Sequence, residues 1–344
     1  MIKINKNLIF SHKKPPLLIA EISGNHGGNK KRFLQLIKSA CLNGADLVKI
    51  QTYEPQDITI NQKKRSFIIK SGIWKNRYLW DLYKKACTPF SWHKDAFKIA
   101  KKYNKVLFSS PFSLRAVELL EKLGCKLYKI ASFEITDLKL INHIASKRKP
   151  IIISTGMASN KEINRALKII KKHHNKIIIM HCVSSYPTEL EDINLQRINK
   201  LKRQFKSNLI GLSDHTNDIL SSLLSLNYGV VAIEKHYKID NTFKTADSTF
   251  SITPKELANL KKNSLSIFKS FAKKDKKAER TSLKLRRSIF AKKNIKKNSK
   301  LSKKNIETLR PFIGICASNY FKILGKKVNR NLKTGDSILE KYLN

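Results

Sequence analysis

Two histidines are the residues best placed to do chemistry in this chain. His215 and His236 each sit at the close of a short apolar run, IGLSDH (210–215) and VVAIEKHY (230–237). If those runs are neighbouring parallel strands, both imidazoles reach one ion. Imidazole suits Mn, Fe, Co or Zn, and a two-ligand site leaves positions for water and substrate oxygens. His181, in IIIMHCVS (177–184), is a third imidazole in a similar place and reads as structural. Lys49 and Lys129 lie near the ends of DLVKIQT and LYKIAS. An ammonium in a buried strand is costly without an anion, so these two call for phosphate or carboxylate partners. Ser109, Ser110, Ser132, Ser154, Ser184 and Ser213 can complete an anion cradle, although each can equally cap the next helix. Glu21, Glu134, Glu234 and Asp247 supply carboxylates for acid–base work or for gripping hydroxyls. Glu234 ranks last among them, because charge balance with the adjacent Lys235 suffices to account for it.

The elements that must position these groups recur with one pattern. LLIAEIS (17–23), DLVKIQT (46–52), VLFSSPF (106–112), LYKIAS (127–132), PIIISTG (150–156), IIIMHCVS, IGLSDH and VVAIEKHY are all strand-length and rich in β-branched residues. Segments of helical periodicity, such as NKKRFLQLIKSACLNG, separate them. Eight alternations of strand and helix predict a (β/α)8 TIM barrel, whose active site gathers at the C-terminal strand ends. The polar candidates cluster at those ends. Residues 53–88 are too long for an ordinary strand-to-helix loop and predict a lid or substrate wall. The barrel domain is expected over 1–272, a charged linker (KKDKKAERTSLK) over 273–284, and a separate small domain over 285–344 with a Gly335-Asp336 turn.

Composition narrows the class further. Hydrophobic residues make up 41% of the 344, enough for a large core, and no apolar run is long enough to cross a membrane. The N-terminal segment has too short an apolar stretch for a signal peptide. Five widely spaced cysteines without CxxC predict reduced thiols and a cytoplasmic protein. The net charge of +45 raises nucleic-acid binding as an alternative. Against it, lysine is spread through almost every helix and no aromatic-studded basic sheet accompanies it.

The motifs AEISGNHGG, VKIQTYEP, FSSPFS, YKIASFE, STGMAS, HCVSSYPT, GLSDHT and IEKHY, in this order, resemble the sialic acid synthase family. The tail resembles the antifreeze-like (SAF) domain of those enzymes. The resemblance implies condensation of phosphoenolpyruvate with an N-acylated amino sugar to a nine-carbon keto acid, with release of phosphate. It implies a divalent metal, typically Mn2+ with Mg2+ or Co2+ as alternatives, held by His215 and His236 to polarise the sugar aldehyde. Lys49, Lys129 and the serines would hold carboxylate and phosphate. The metal or Glu21 would place the attacking water, while Glu134 and Asp247 face the sugar. Gln51 and Tyr186, within VKIQTYEP and HCVSSYPT, join the substrate-binding set. Within the family, FIIKSGIW, CTPFSWH and IASFE are most similar to the pseudaminic acid synthase branch, where Phe133 would wall off a 6-deoxy methyl. The other branches handle N-acetylneuraminate and legionaminic acid. The family also implies a domain-swapped homodimer in which Arg310, in ETLRP, reaches the partner's sugar.

Overall fold

The computed structural model describes residues 1–271 and 277–344, which divide into two compact units, Met1–Phe271 and Ala272–Asn344. Strands buried on both faces need continuous β-branched runs, and the eight such runs all form parallel strands. After a short antiparallel pair, β1 (Ile2–Lys3) and β2 (Ile9–Phe10), come β3 (Leu17–Glu21), β4 (Leu47–Thr52), β5 (Val106–Pro111) and β6 (Tyr128–Ile130). They continue as β7 (Ile151–Ser154), β8 (Ile177–Cys182), β9 (Leu209–Asp214) and β10 (Ala232–His236). The eight close into a barrel in sequence order, with β10 pairing back onto β3. The β1–β2 pair is too short for periodicity to reveal, yet it buries Phe10 completely.

The helices obtain their caps from residues beyond the strand ends. Asn29, Ser113, Asp137, Ser159 and Thr253 each accept a backbone N–H of the first helical turn, the last two within capping boxes closed by Glu162 and Glu256. None of the strand-end serines is used this way, so the capping alternative falls for them and their hydroxyls remain for the barrel mouth.

Between β4 and the helix His93–Lys102, the long connection folds into three 3-10 turns and the helix Leu79–Ala86. The second unit pairs β11 (Ser288–Ala291) antiparallel with β12 (Ile306–Leu309) over a small core that includes Ile289, Ile306, Val328 and Ile338. Gly335 takes φ +90° in the expected turn, where Asp336 accepts the Lys333 N–H at 2.7 Å. The expected linker lies partly outside the described residues; its described part holds a helical turn at Lys277–Arg280 and a 3-10 turn at Ser282–Leu285.

Register fixes what faces the barrel axis, because side chains alternate with period two. In β9 and β10, Ser213 pairs with Glu234 and Asp214 with Lys235. The second couple faces outward. Buried Asp214 accepts from Thr216 N and Oγ1 (2.9 and 2.8 Å), Ser221 Oγ (2.7 Å) and Ser222 Oγ (2.5 Å), with Lys235 Nζ 3.4 Å away. Lys235 also donates to the Thr216 carbonyl at 2.6 Å. This network immobilises the chain on either side of His215 and just before His236. Asp214→Ala would leave a buried ammonium uncompensated, a loss of about 3–5 kcal/mol. Urea denaturation measures it; a loss under ~1 kcal/mol, the size of a surface pair, would show the network to be dispensable.

Candidate functional site

Counting by twos from the registered pairs gives the inward ring. Glu21 of β3 is level with Lys49 and His236; Gln51 with Ser110; Lys129 with Ile152; Ser154 with Met180; and Cys182 with Ser213 and, through it, Glu234. Parity corrects one candidate. Ser109 faces the helices, bonding Thr52 Oγ1 (2.6 Å) and the Ile50 carbonyl (2.9 Å), and Thr52 in turn meets His93 Nε2 at 2.8 Å. Its neighbour Ser110 faces inward instead. His181 is outward as well, its Nε2 2.6 Å from the Ile193 carbonyl, and is a structural residue.

The lysines are not waiting for an anion. Lys49 Nζ lies 2.9 Å from Glu21 Oε2 and 3.0 Å from Glu234 Oε1. Lys129 Nζ donates to both oxygens of Glu234 at 2.9 Å, and Ser213 Oγ donates to Oε1 at 3.0 Å. All four charged groups are at most 4% exposed. Glu234, ranked last from sequence, is the hub of this cluster, and Lys235 turns to Asp214 on the other face. The sequence could not separate adjacent charges that point to opposite sides of one strand.

Electrostatics follow from this packing. Burial works against the Glu234 carboxylate, but Lys129 and Lys49 hold it well below its usual range. Burial also opposes the Lys49 cation, while Glu21 and Glu234 hold its proton affinity above normal. Lys129 is lowered, first by burial and also by Lys49, against the pull of Glu234. Glu21 rises to about 7, chiefly by burial and with Glu234 adding to it, against the pull of Lys49. It therefore titrates near neutrality, as an acid–base group must.

Around these charges lie hydroxyls and amides. Ser110 Oγ and Ser154 Oγ are buried and unpaired among the described residues. The Gly156 N–H donates to Ser132 Oγ at 3.1 Å, and a Cβ on Gly156 would fall 2.1 Å from Ser184 Oγ, so only glycine fits there. Cys182, two residues beyond Met180 and missed as a site residue, faces Ser132 Oγ at 3.6 Å and His215 Nδ1 at 3.9 Å. Gln51 Nε2 reaches Glu21 Oε1 (3.2 Å) and Ser23 Oγ (3.1 Å). Ser23, held at φ +46°, donates to Asp247, which also accepts the Gly24 N–H at 3.1 Å. Burial raises the Asp247 carboxyl, partly offset by those bonds.

The two imidazoles meet as the strand order requires, with ring centroids 5.4 Å apart. His215 Nδ1 lies 2.8 Å from the Val183 carbonyl, which leaves Nε2 with the free lone pair. Among the described residues His236 Nδ1 is buried without a hydrogen-bond partner, and burial, with His215 beside it, holds that ring well below its ordinary value and so neutral. Among the described residues, no group of three or more His, Cys, Asp or Glu is arranged to hold an ion. Burial lowers the His215 ring, but Cys182 and the Val183 carbonyl more than offset it and hold its pKa above the ordinary value. With both rings deprotonated, the pair fits a first-row divalent metal that keeps its other positions for water or substrate oxygens. Tyr186 packs 4.4 Å from His215 and 5.2 Å from Phe250, whose ring is 4.8 Å from His236. From the long connection, Trp74 stacks 5.5 Å from Tyr186 and donates Nε1–H to the Ala246 carbonyl at 3.0 Å.

Two candidates stand apart. Phe133 does not line an enclosed pocket, since its side chain is 60% exposed beyond β6. Arg310 belongs to the second unit and is exposed there. Glu134, next to Phe133, is partly buried with Oε2 enclosed and unpaired, and burial raises its carboxyl to about 7. The folded chain thus holds a proton that the unfolded chain releases near 4.5. Stability from this group is complete below about 4.5 and is lost as pH rises through about 7, by at most about 3 kcal/mol. Glu134→Gln should therefore melt above the unsubstituted protein at pH 8, with the gap closing toward pH 5. A gap independent of pH would rule out this titration.

Residues 36–276 match the NeuB family and residues 286–343 match the SAF domain. The chain is 37% identical over 336 residues to the pseudaminic acid synthase of Campylobacter jejuni subsp. jejuni serotype O:23/36, spanning 96% of this chain and 97% of that one. It is also 37% identical over 335 residues to the N,N'-diacetyllegionaminic acid synthase of C. jejuni serotype O:2, spanning 95% and 100%. The crystal structure of N-acetylneuraminic acid synthetase from Leptospira borgpetersenii, 30% identical, superposes with a TM-score of 0.74 over 82% of this chain and 95% of that one. With both units accounted for, the chain belongs to the NeuB family and ends in a SAF domain.

Proposed function

We propose that this protein condenses phosphoenolpyruvate with 2,4-diacetamido-2,4,6-trideoxy-altrose, releasing phosphate, and so acts as a pseudaminic acid synthase. The observation that carries this reading is one inward ring that brings two buried lysines together with two adjacent imidazoles. The named activities of the relatives support the reaction class. Identity alone does not separate the pseudaminic from the legionaminic reading, so the choice of sugar rests on the resemblance of the 53–88 segment and on Trp74, which closes over Tyr186.

In this reading Lys49, Lys129, Ser110, Ser132, Ser154, Ser184 and Ser213 bind the carboxylate and phosphate by charge-assisted hydrogen bonds. A divalent ion at His215 and His236, with Mn2+ the first choice, supplies Lewis-acid polarisation of the sugar aldehyde. C3 of phosphoenolpyruvate bonds to the aldehyde carbon while the C=O π pair moves onto the aldehyde oxygen, which takes up a proton. Water then bonds to the cationic C2 and gives up a proton. The C2–O bond to phosphate breaks with its electron pair leaving on phosphate, as the C2 hydroxyl loses its proton to form the ketone. Glu21 titrates near neutrality beside Lys49 and Gln51 and moves the proton of that water. Glu134 and Asp247 face the sugar. The Trp74–Tyr186–Phe250 wall excludes bulk water from the imidazoles. Among the described residues no helix is long and apolar enough to cross a membrane, and we place the enzyme in the cytoplasm.

The working form in this reading is a homodimer, with each SAF domain serving the partner's barrel. Ile60, Ile73, Phe133, Met157, Leu190 and Phe243, all in segments that follow strand C-termini, are exposed apolar residues that a partner would cover. In the second unit, exposed Leu309, Phe312 and Ile313 flank Arg310, whose planar fork suits an N-acyl oxygen.

Phosphate release from phosphoenolpyruvate, assayed with each amino sugar, tests the reading. Activity should vanish in EDTA and return with Mn2+, and His215→Ala and His236→Ala should abolish it while the melting transition persists. Undiminished turnover after metal removal would defeat the metal site. The 6-deoxy diacetamido sugar should exceed N-acetylmannosamine in kcat/KM by about 10- to 200-fold, the range an apolar pocket achieves; a reversed preference would defeat the assignment. Mixing inactive Arg310→Ala with inactive His236→Ala subunits should restore activity, because one pocket then receives both intact groups. Subunits that exchange yet stay inactive would disprove the trans arrangement.

A further inference from the structure

The lysine pair that the proposed reaction needs is already engaged by protein carboxylates, and the donor geometry shows how both can hold. Each ammonium has three N–H donors. Lys49 holds Glu21 and Glu234 as ion pairs at 2.9 and 3.0 Å, contacts that leave it at least one donor. Lys129 spends its bonds on the two oxygens of Glu234 and likewise keeps a donor. Glu234 Oε1 gathers Lys49, Lys129 and Ser213 at 3.0, 2.9 and 3.0 Å, drawing together groups from β4, β6 and β9. Near them, the Ser110 and Ser154 hydroxyls are buried and unpaired. Donors from several strands, gathered at one carboxylate on the inward face of the barrel, make a preorganised anion receptor.

We propose that Glu234 is a positioning residue for phosphoenolpyruvate: it anchors Lys49, Lys129 and Ser213 so that their remaining donors converge on the incoming anion. This rests on the functional reading above and extends it to a residue that itself touches neither sugar nor phosphate. The alternative role, plain charge balance, makes the opposite forecast. If Glu234 only neutralised the lysines, removing its charge would make the pocket more positive and phosphoenolpyruvate would bind more tightly. If it positions them, removing its charge takes away the carboxylate that anchors Lys129 and one of the two that anchor Lys49, and binding weakens despite the added positive potential.

The test is calorimetric titration of phosphoenolpyruvate, without sugar and at saturating Mn2+, into the full-length protein and into Glu234→Gln and Glu234→Asp. Thermal melts confirm that each variant is folded. The expected result is at least tenfold weaker binding for Glu234→Gln. In turnover its KM for phosphoenolpyruvate should rise while KM for the sugar stays within twofold. Glu234→Asp, which keeps the charge on a shorter stem, should recover part of the loss. Tighter or unchanged binding by Glu234→Gln would overturn the positioning role while leaving the functional reading intact. So would an equal rise in both KM values. If Glu234→Gln does not fold, the folded Glu234→Asp decides alone: a shorter anchor should weaken phosphoenolpyruvate binding several-fold, and native affinity would overturn the proposal. Absence of phosphoenolpyruvate binding by the unsubstituted protein would instead remove the functional reading, and this role with it.

Discussion

Placing two ammonium groups inside a closed barrel governs much of what surrounds them. The desolvation penalty of each is several kcal/mol and is not met by packing. Opposite charge at hydrogen-bond distance meets it, and Glu234 supplies that charge to Lys49 and Lys129 together. Once Glu234 is committed in this way, Glu21 is the carboxylate that bears the remaining strain. It shares Lys49 and lies near a second negative group, so its proton is held up to about 7. One cluster therefore produces a permanent anion, two fixed cations and an acid–base group without any of them reaching bulk water.

The same strands run a second electrostatic system on their outer face. Asp214 and Lys235 are each one residue from a member of the inner ring, yet they belong to a hydroxyl-rich network that ties the β9 end to the helix Leu220–Leu224. Because alternate side chains of a strand face opposite ways, SDH and EKH each contribute two groups to the mouth and one to the scaffold. The scaffold group lies immediately before each imidazole, so stiffness behind the sheet carries directly to the two rings. The aromatic wall of Trp74, Tyr186 and Phe250 closes the other side. It leaves His236 neutral by burial, the state a metal ligand requires.

Family membership and physical reading each contribute something the other lacks. The relatives bring the reaction class through their names. The geometry brings the division of labour among carboxylates, which no motif contains: Glu234 structural to the anion site, Glu21 and Glu134 titrating near neutrality, and Asp247 held by Ser23 and the Gly24 amide. The large positive charge of the chain is not concentrated in this ring, where two lysines are matched by two carboxylates.

The order of strands, the closure of the barrel and the position of His215 beside His236 were legible in the sequence. Eight β-branched runs with helical spacers permit few other folds, and a parallel barrel then makes consecutive strands neighbours. The lid-like length of 53–88 was legible for the same reason, as an interruption of a regular pattern. What only the tertiary structure decided was direction. Ser109 and Ser110 are equivalent in a string of letters, and register sends one to a helix and the other to the axis. Glu234 and Lys235 look like a local pair, whereas the pleat separates them and gives each a partner far along the chain. Phe133 reads as a pocket wall, but an apolar residue beyond a strand end is buried only if another element covers it. Periodicity specifies that neighbours diverge; which of two neighbours faces the core is set by pairing across the whole sheet.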